Sequence, residues 1–437
     1  MSNTIFSLEL VEQVTAELGI TDLENATIGQ SVAVAQRLIE LTGTPFVRMD
    51  QGVPGLQPCK VGLEAEREAL LTNVASIYPH PSGIVQLREA TSRFVKAFVG
   101  VDVNPDCCVS TSGSVASSFA AFIACNQAKE GVDTVLFIDP GFPIQKSQLA
   151  VQGAKYESFD IFEFRGEKLK AKLESYLEKG NISSIIYSNP NNPAWICLTE
   201  SELQIIGELA TKYDVIILED LAYFEMDNRR ELGRPFEPPY QASVSRYTDN
   251  YIIMLSASKI FSYAGQRSAV MAISNKLFNR NFEALAKRYG GIGQFGSTLV
   301  NAILYMITSG TTHTTQYGYA AMLNGAVDGT IDFIGETSEY ARRAKRMKEV
   351  FEANDFHVVY DYDLDEKIGD GFFFSVGYKD FESGRLMREL VYFGVSSISL
   401  TTTGSEQRGI RACASRMTDE AIDLLDERLK AFNSFHS

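Results

Sequence analysis

Histidine, tryptophan and closely spaced cysteine are scarce in this chain of 437 residues, and it has no surplus of positive charge. The four histidines, His80, His313, His357 and His436, stand far apart and beside no acidic or cysteine cluster at ligand spacing, which argues against a metal site. Six cysteines are present, Cys59, Cys107, Cys108, Cys125, Cys197 and Cys413, but no Cys-x-x-Cys pair. They read as reduced, mostly buried thiols, not as disulfides or a zinc cluster. Net charge is −15, spread along the sequence. Such a surface repels phosphate backbones, so no nucleic-acid partner is expected, and an anionic substrate would need a local arginine or lysine pocket. No apolar run approaches a membrane span, so no membrane association is expected. The opening "MSNTIFSLELVEQVTAEL" has neither a basic stretch nor an apolar core and reads as a helix, not a signal peptide. A cytoplasmic protein is the expectation.

What is present is an ordinary globular mixture, 45% apolar and 22% charged, too long for one small core. Two helical stretches, about 5–18 and 25–41, precede an irregular, Gly- and Pro-containing segment. Helical stretches then separate short apolar runs rich in β-branched residues: "TVLFID", "SIIYSN", "DVIILED", "YIIMLSAS" and "SAVMAIS". Such runs fit strands covered on both faces, and intervening helices imply a mainly parallel sheet. The last two runs are close enough to pair antiparallel. Past residue 300 the texture is that of a smaller α+β unit. The expected fold is α/β, a three-layer large domain with a mainly parallel sheet plus a smaller α+β domain. Its expected divisions are 1–60 (an N-terminal arm and part of the small domain), 61–305 (large domain) and 306–437 (small domain).

In open α/β sheets ligands sit beyond the carboxyl ends of strands. Three runs deliver polar residues there: Asn192 after the second, Asp220 and Tyr223 after the third, Ser256 and Lys259 after the fourth. Singly, each has an ordinary use as helix cap, turn or solvated surface group; their shared position is the signal. Two motif matches are discarded. Ser256-x-x-Lys259 fits the active-serine motif of penicillin-binding enzymes, but the downstream partners of that motif are missing and the serine ends an apolar strand. "GIGQFG" matches a dinucleotide fingerprint but follows a helical stretch, not a strand.

Seven segments in order, "YPHPSGIVQLREA", "STSGSVAS", "PGFP", "NPNNP", "DLAY", "SASKIFSYAGQR" and "GIRACAS", resemble the fold-type I, pyridoxal-phosphate-dependent aminotransferases of class I and II. The resemblance covers most of the chain and implies the cofactor pyridoxal 5′-phosphate. It implies that Lys259 forms the Schiff base and then serves as acid and base. Asp220 would pair with the pyridine nitrogen, and Asn192 and Tyr223 would bond the ring's phenolic oxygen. Phe142 would stack on the ring. Ser112, Gly113 and Ser114, before a helix, would hold the phosphate with Ser256, Ser258 and Arg267. Tyr78 would reach the phosphate from a second subunit, which implies a homodimer with shared sites. Arg411 would clamp the substrate's α-carboxylate, and Gly52 would border the substrate.

The sequence departs from the family pattern in three places. Ala194–Trp195 stands where Thr-Gly is usual, Ala269 where glycine is common, and no arginine follows "AKRYGGIGQFGST" where dicarboxylate-specific relatives have one; Lys287 and Arg288 are out of step. Trp195 either narrows the substrate entrance or packs between domains. The resemblance implies transfer of an amino group between an L-amino acid and a 2-oxo acid. The same scaffold supports lyase or decarboxylase chemistry, as in carbon–sulfur lyases and cyclopropane-carboxylate synthases. A DNA-reading sensor lacks a reader domain here, and a pseudoenzyme leaves Lys259, Asp220, Arg267 and Arg411 without a use.

Overall fold

The computed structural model describes residues 4–437. Its larger sheet contains β1 (Cys108–Thr111), β2 (Thr134–Asp139), β3 (Lys155–Asp160), β4 (Ile182–Ser188), β5 (Ile216–Asp220), β6 (Tyr251–Ser256) and β7 (Ala269–Ile273). The spatial order is β1-β7-β6-β5-β4-β2-β3. All pairings are parallel except those of β7, which runs antiparallel to β6 and β1.

Alternation of side chains across the pleat explains why the central runs are apolar without a break. Leu136, Ile138, Ile217, Ile253 and Leu255 enter one core. Their neighbours Val135, Phe137, Ile216, Leu218, Ile252 and Met254 enter another on the opposite face. The sheet is therefore the middle of three layers, as expected. Two strands were not visible as apolar runs. β1 is only four residues long, and β3, "KYESFD", lies at the sheet edge with its first residues exposed.

The smaller sheet comprises β8 (Phe356–Val358), β9 (Phe373–Tyr378), β10 (Ile398–Ser399) and β11 (Ile410–Cys413), all antiparallel, in the order β10-β11-β9-β8. Helices α1 (Leu8–Glu17) and α2 (Ile28–Thr42) pack on its core through Val11, Val14, Val34 and Leu38. A Thr27–Gln30 capping box starts α2, and Gly43 at φ 70° ends it. The helix His313–Val327, beyond residue 305, packs in the larger core through Tyr319, Met322 and Leu323.

Candidate active site

The carboxyl ends of β4, β5 and β6 open into a cavity of about 450 Å³, walled on its other side by the small domain and by the segment after Arg48. Of the residues singled out in the sequence, Gly52, Ser114, Phe142, Asn192, Asp220, Tyr223, Ser256, Ser258, Lys259, Arg267 and Arg411 line it. Ser112 and Gly113 stand just behind that wall, and Tyr78 is at the surface, 86% exposed.

Lys259 sits in the single-turn helix Ala257–Ile260 that follows β6, capped by Ser256, whose Oγ accepts from the Ser258 N–H at 3.1 Å. Its amine donates to the Gly52 carbonyl and lies 5.2 Å from the centre of the Phe372 ring. Loss of water is the main cause that pulls the amine from the usual 10.5 down to about 8; Cys413 pulls upward, and Arg411 and Arg267 push downward more weakly. A quarter or so of such amines are neutral near pH 7.5, against roughly one in a thousand for an ordinary lysine.

Asp220 ends β5 and is buried. It accepts from Gln145 Nε2 at 3.1 Å and from the Ala222 N–H at 3.2 Å, and among the described residues no cation pairs with it. Burial therefore raises its carboxyl to about 6, against the downward pull of those two donors. A buried carboxylate that lines a cavity without a cation leaves room for a cationic ligand atom.

The helix α3 (Ser114–Gln127) begins at the cavity with no side chain capping it, and the buried Ser114 Oγ has no partner. Its free N–H groups and dipole make an anion site. Gly113, at φ 88°, is favoured there by its backbone conformation and also leaves room for Arg267. The conformation is costly for other residues, and a Cβ would stand 2.3 Å from Arg267 Nη2. The exposed Arg267 guanidinium thus hangs over the helix start, held by the Ala264 carbonyl at 2.7 Å.

Arg411, 1% exposed on β11, donates to Asn192 Oδ1 at 3.1 Å and to the Asp50 carbonyl at 2.7 Å, and its guanidinium lies 4.4 Å from the Phe373 ring centre. Its Nε has no partner, and burial pulls its pKa down. Two residues that matter here were not legible. Gln145 stands one helical turn after Phe142 and fixes Asp220. Asp50, gripped by Arg48 at 2.8 Å, holds the segment whose carbonyls meet Arg411 and Lys259. Both act through other residues, so no motif marks them.

Trp195 does not reach the cavity. It is 0% exposed, its ring meets Tyr223 edge-on at 5.6 Å, and it fills the space a Cβ on Gly371 would need. It packs behind the site, between β4's exit and the small domain. Trp195→Ala is expected to cost about 3–5 kcal/mol of stability while leaving the ranking of substrates unchanged. Thermal melts and a substrate panel check both, and a re-ordered panel would restore the entrance role.

The sequence model for aminotransferase class I and II matches residues 44–429. The chain belongs to this family. Among curated relatives, it is 24% identical over 301 residues to a probable aspartate aminotransferase of Methanocaldococcus jannaschii, covering 69% of this chain and 73% of that one. It is 28% identical over 232 residues to a glutamate-pyruvate aminotransferase of Escherichia coli, covering 52% and 53%. The alignments thus span between half and three quarters of those relatives' lengths. Among solved structures, an aminotransferase from Mycobacterium tuberculosis superposes with a TM-score of 0.75 at 17% identity, covering 93% of this chain and 96% of that one. Aspartate aminotransferase from Thermus thermophilus with maleate gives 0.73 at 17%, with the same coverage. These two likenesses show the fold. Members of the family work with pyridoxal phosphate, and the unpaired acid, the uncapped helix start and the low-pKa amine of this cavity fit that cofactor. Among the described residues, no helix is long and apolar enough to cross a membrane, and no cluster of possible metal ligands occurs.

Proposed function

We propose that the protein is an aminotransferase that moves an amino group between an L-amino acid and a 2-oxo acid. The observation that supports this best is one cavity holding a desolvated lysine with its pKa near 8, a buried carboxylate without a cation, and two guanidiniums. Pyridoxal phosphate, when bound, supplies a sink for the electrons freed at the substrate's Cα.

Lys259 Nζ would hold the cofactor at its aldehyde and, when freed, would serve as the base and acid for the proton at the substrate's Cα. A pKa near 8 suits both tasks at neutral pH. Asp220 keeps the ring nitrogen protonated, with Gln145 and the Ala222 N–H orienting it. The start of α3, Ser256, Ser258 and Arg267 hold the phosphate, with Ser112 and Gly113 supporting them. Phe142 would cover the ring face, and Asn192 and Tyr223 would meet its phenolic oxygen. Arg411 takes the α-carboxylate, to which its unpartnered Nε is free to donate.

Exposed Leu70, Leu71, Ile77 and Met306, with Tyr78, support a homodimer in which Tyr78 completes the partner's phosphate site. Six unpaired thiols fit a reducing, cytoplasmic setting. The test is to incubate the holoenzyme with pairs of amino and 2-oxo acids and follow both products. Matched formation of a new amino acid and a new oxo acid is expected. Release of pyruvate and ammonia without exchange would replace this reading by a lyase, and a monomer at micromolar concentration would remove the shared site.

A further inference from the structure

We infer that Asp160 is a positioning residue: it clasps the turn before the strand of Arg411 onto the large sheet and so sets where Arg411 meets the substrate's carboxylate. This rests on the aminotransferase reading above, which places an α-carboxylate on Arg411. Asp160 ends β3, is 3% exposed and lies outside the cavity. The Phe162 N–H, from its own segment, donates to its Oδ1 at 2.9 Å. Three donors from the smaller domain share its Oδ2: the Tyr360 hydroxyl and the Glu406 N–H, both at 2.8 Å, and the Ser405 hydroxyl at 3.2 Å. Hydrogen bonds to a carboxylate are of the strong kind, so this is a firm link between the domains.

Ser405 and Glu406 belong to the connection between β10 and β11. Ile398 of β10 stands opposite Arg411, and only Gln407 to Ile410 separate Glu406 from Arg411. A second link ties the same connection to the segment that carries Phe142, because the Gly141 N–H donates to the Thr403 carbonyl at 2.8 Å. Leu400, where the connection begins, is buried in the larger core. The bond from Arg411 to Asn192 lies in the cavity, where ligands compete for both partners. The clasp lies outside it and is spent on no ligand, so it holds the strand of Arg411 whether or not the cavity is filled. A reacting group moved by about 1 Å can cost on the order of 10²-fold in rate, even when the change is far from the chemistry.

The experiment compares two reagents on the holoenzyme, aminooxyacetate and O-methylhydroxylamine. Each carries an aminooxy nitrogen that replaces the Lys259 nitrogen at the cofactor's aldehyde carbon and frees the lysine amine; only the first carries a carboxylate. Rates are followed by the cofactor's absorption and divided by those with free pyridoxal phosphate, which removes intrinsic reactivity. The native protein is expected to favour aminooxyacetate roughly tenfold or more, the worth of a hydrogen bond to a charged group. Asp160→Asn, which trades an acceptor oxygen for a donor, is expected to lower that ratio roughly tenfold, and Tyr360→Phe, which removes one donor, about threefold. A merely structural defect slows both reagents alike and leaves the ratio as it was. An unchanged ratio in D160N, or in Y360F should D160N not fold, overturns the inference. Arg411→Gln tells the two readings apart. If it abolishes a preference that D160N keeps, the clasp fails alone. If the native protein has no preference to lose, the carboxylate role of Arg411 falls and the inference with it.

Discussion

Replacing Lys259 with alanine is expected to lower kcat for amino exchange about 10⁴-fold, the upper range for a positioned acid–base group. The loss exceeds that from any other single change in the cavity, because two tasks end together. On the proposed reading, the residue that anchors the cofactor is also the one that moves the proton at Cα. The two tasks separate experimentally. Borohydride treatment of the native holoenzyme should fix the cofactor to the peptide containing Lys259, and the K259A protein should remain unlabelled. An added small amine should restore part of the proton transfer in the variant but none of the labelling.

The lowered pKa gives a second readout of the same residue. Only the neutral amine attacks an aldehyde, so the rate of cofactor uptake by apoprotein should rise with pH and level off above about 8, where the Lys259 amine is mostly deprotonated. An ordinary lysine would keep rising towards 10.5. Full activity of Lys259→Ala, or uptake that climbs without a plateau, would sink the assignment.

How much of this was legible in the sequence follows from what each residue touches. The central strands were plain because a strand covered on both faces has no polar position, so "DVIILED" and "YIIMLSAS" stand out. β3 was hidden because an edge strand keeps polar residues on its open side, and "KYESFD" has the composition of a loop. The helix His313–Val327 was hidden for the opposite reason. Most of its residues are buried on all sides, so no amphipathic stripe marks it.

The same logic sorts the site. Residues expected to touch the cofactor lie in short motifs at strand ends, and the structure draws eleven of the expected site residues to one cavity from segments as distant as Gly52 and Arg411. Gln145 and Asp50 escaped because their chemistry is to hold other groups still, and any of several residue types can do that from several positions. Trp195 stayed open between an entrance role and a packing role, because a departure from a family pattern beside a motif can also be a change of specificity; the structure favours packing. Its indole fills the space that glycine at 371 leaves open.

Asp220→Asn should slow the enzyme and stabilise the apoprotein, and the two effects have one cause. On the proposed reading, the carboxylate would face a protonated ring nitrogen once cofactor is bound. Removing one partner of such a buried pair costs about 3–5 kcal/mol, so kcat is expected to fall roughly 10²- to 10³-fold. Without cofactor the same carboxylate is a buried charge without a cation. Its folded pKa, about 6, lies above the unfolded value of 3.8. Between these values the folded state binds more protons than the unfolded one, so stability is full below 3.8 and declines as pH rises towards 6. The whole difference amounts to about 3 kcal/mol at neutral pH. The substituted amide cannot ionise, so the D220N apoprotein should melt higher than the native apoprotein at pH 7.5 and about equally at pH 4. Gln145→Leu removes a donor to the carboxylate, so it should raise the Asp220 pKa further and lower the melting point of the apoprotein at pH 7.5, the opposite of D220N, while also weakening cofactor binding. If D220N melts lower than the native apoprotein at neutral pH, the carboxylate is held by partners other than the cofactor, and its role as counter-ion to the ring falls with that result.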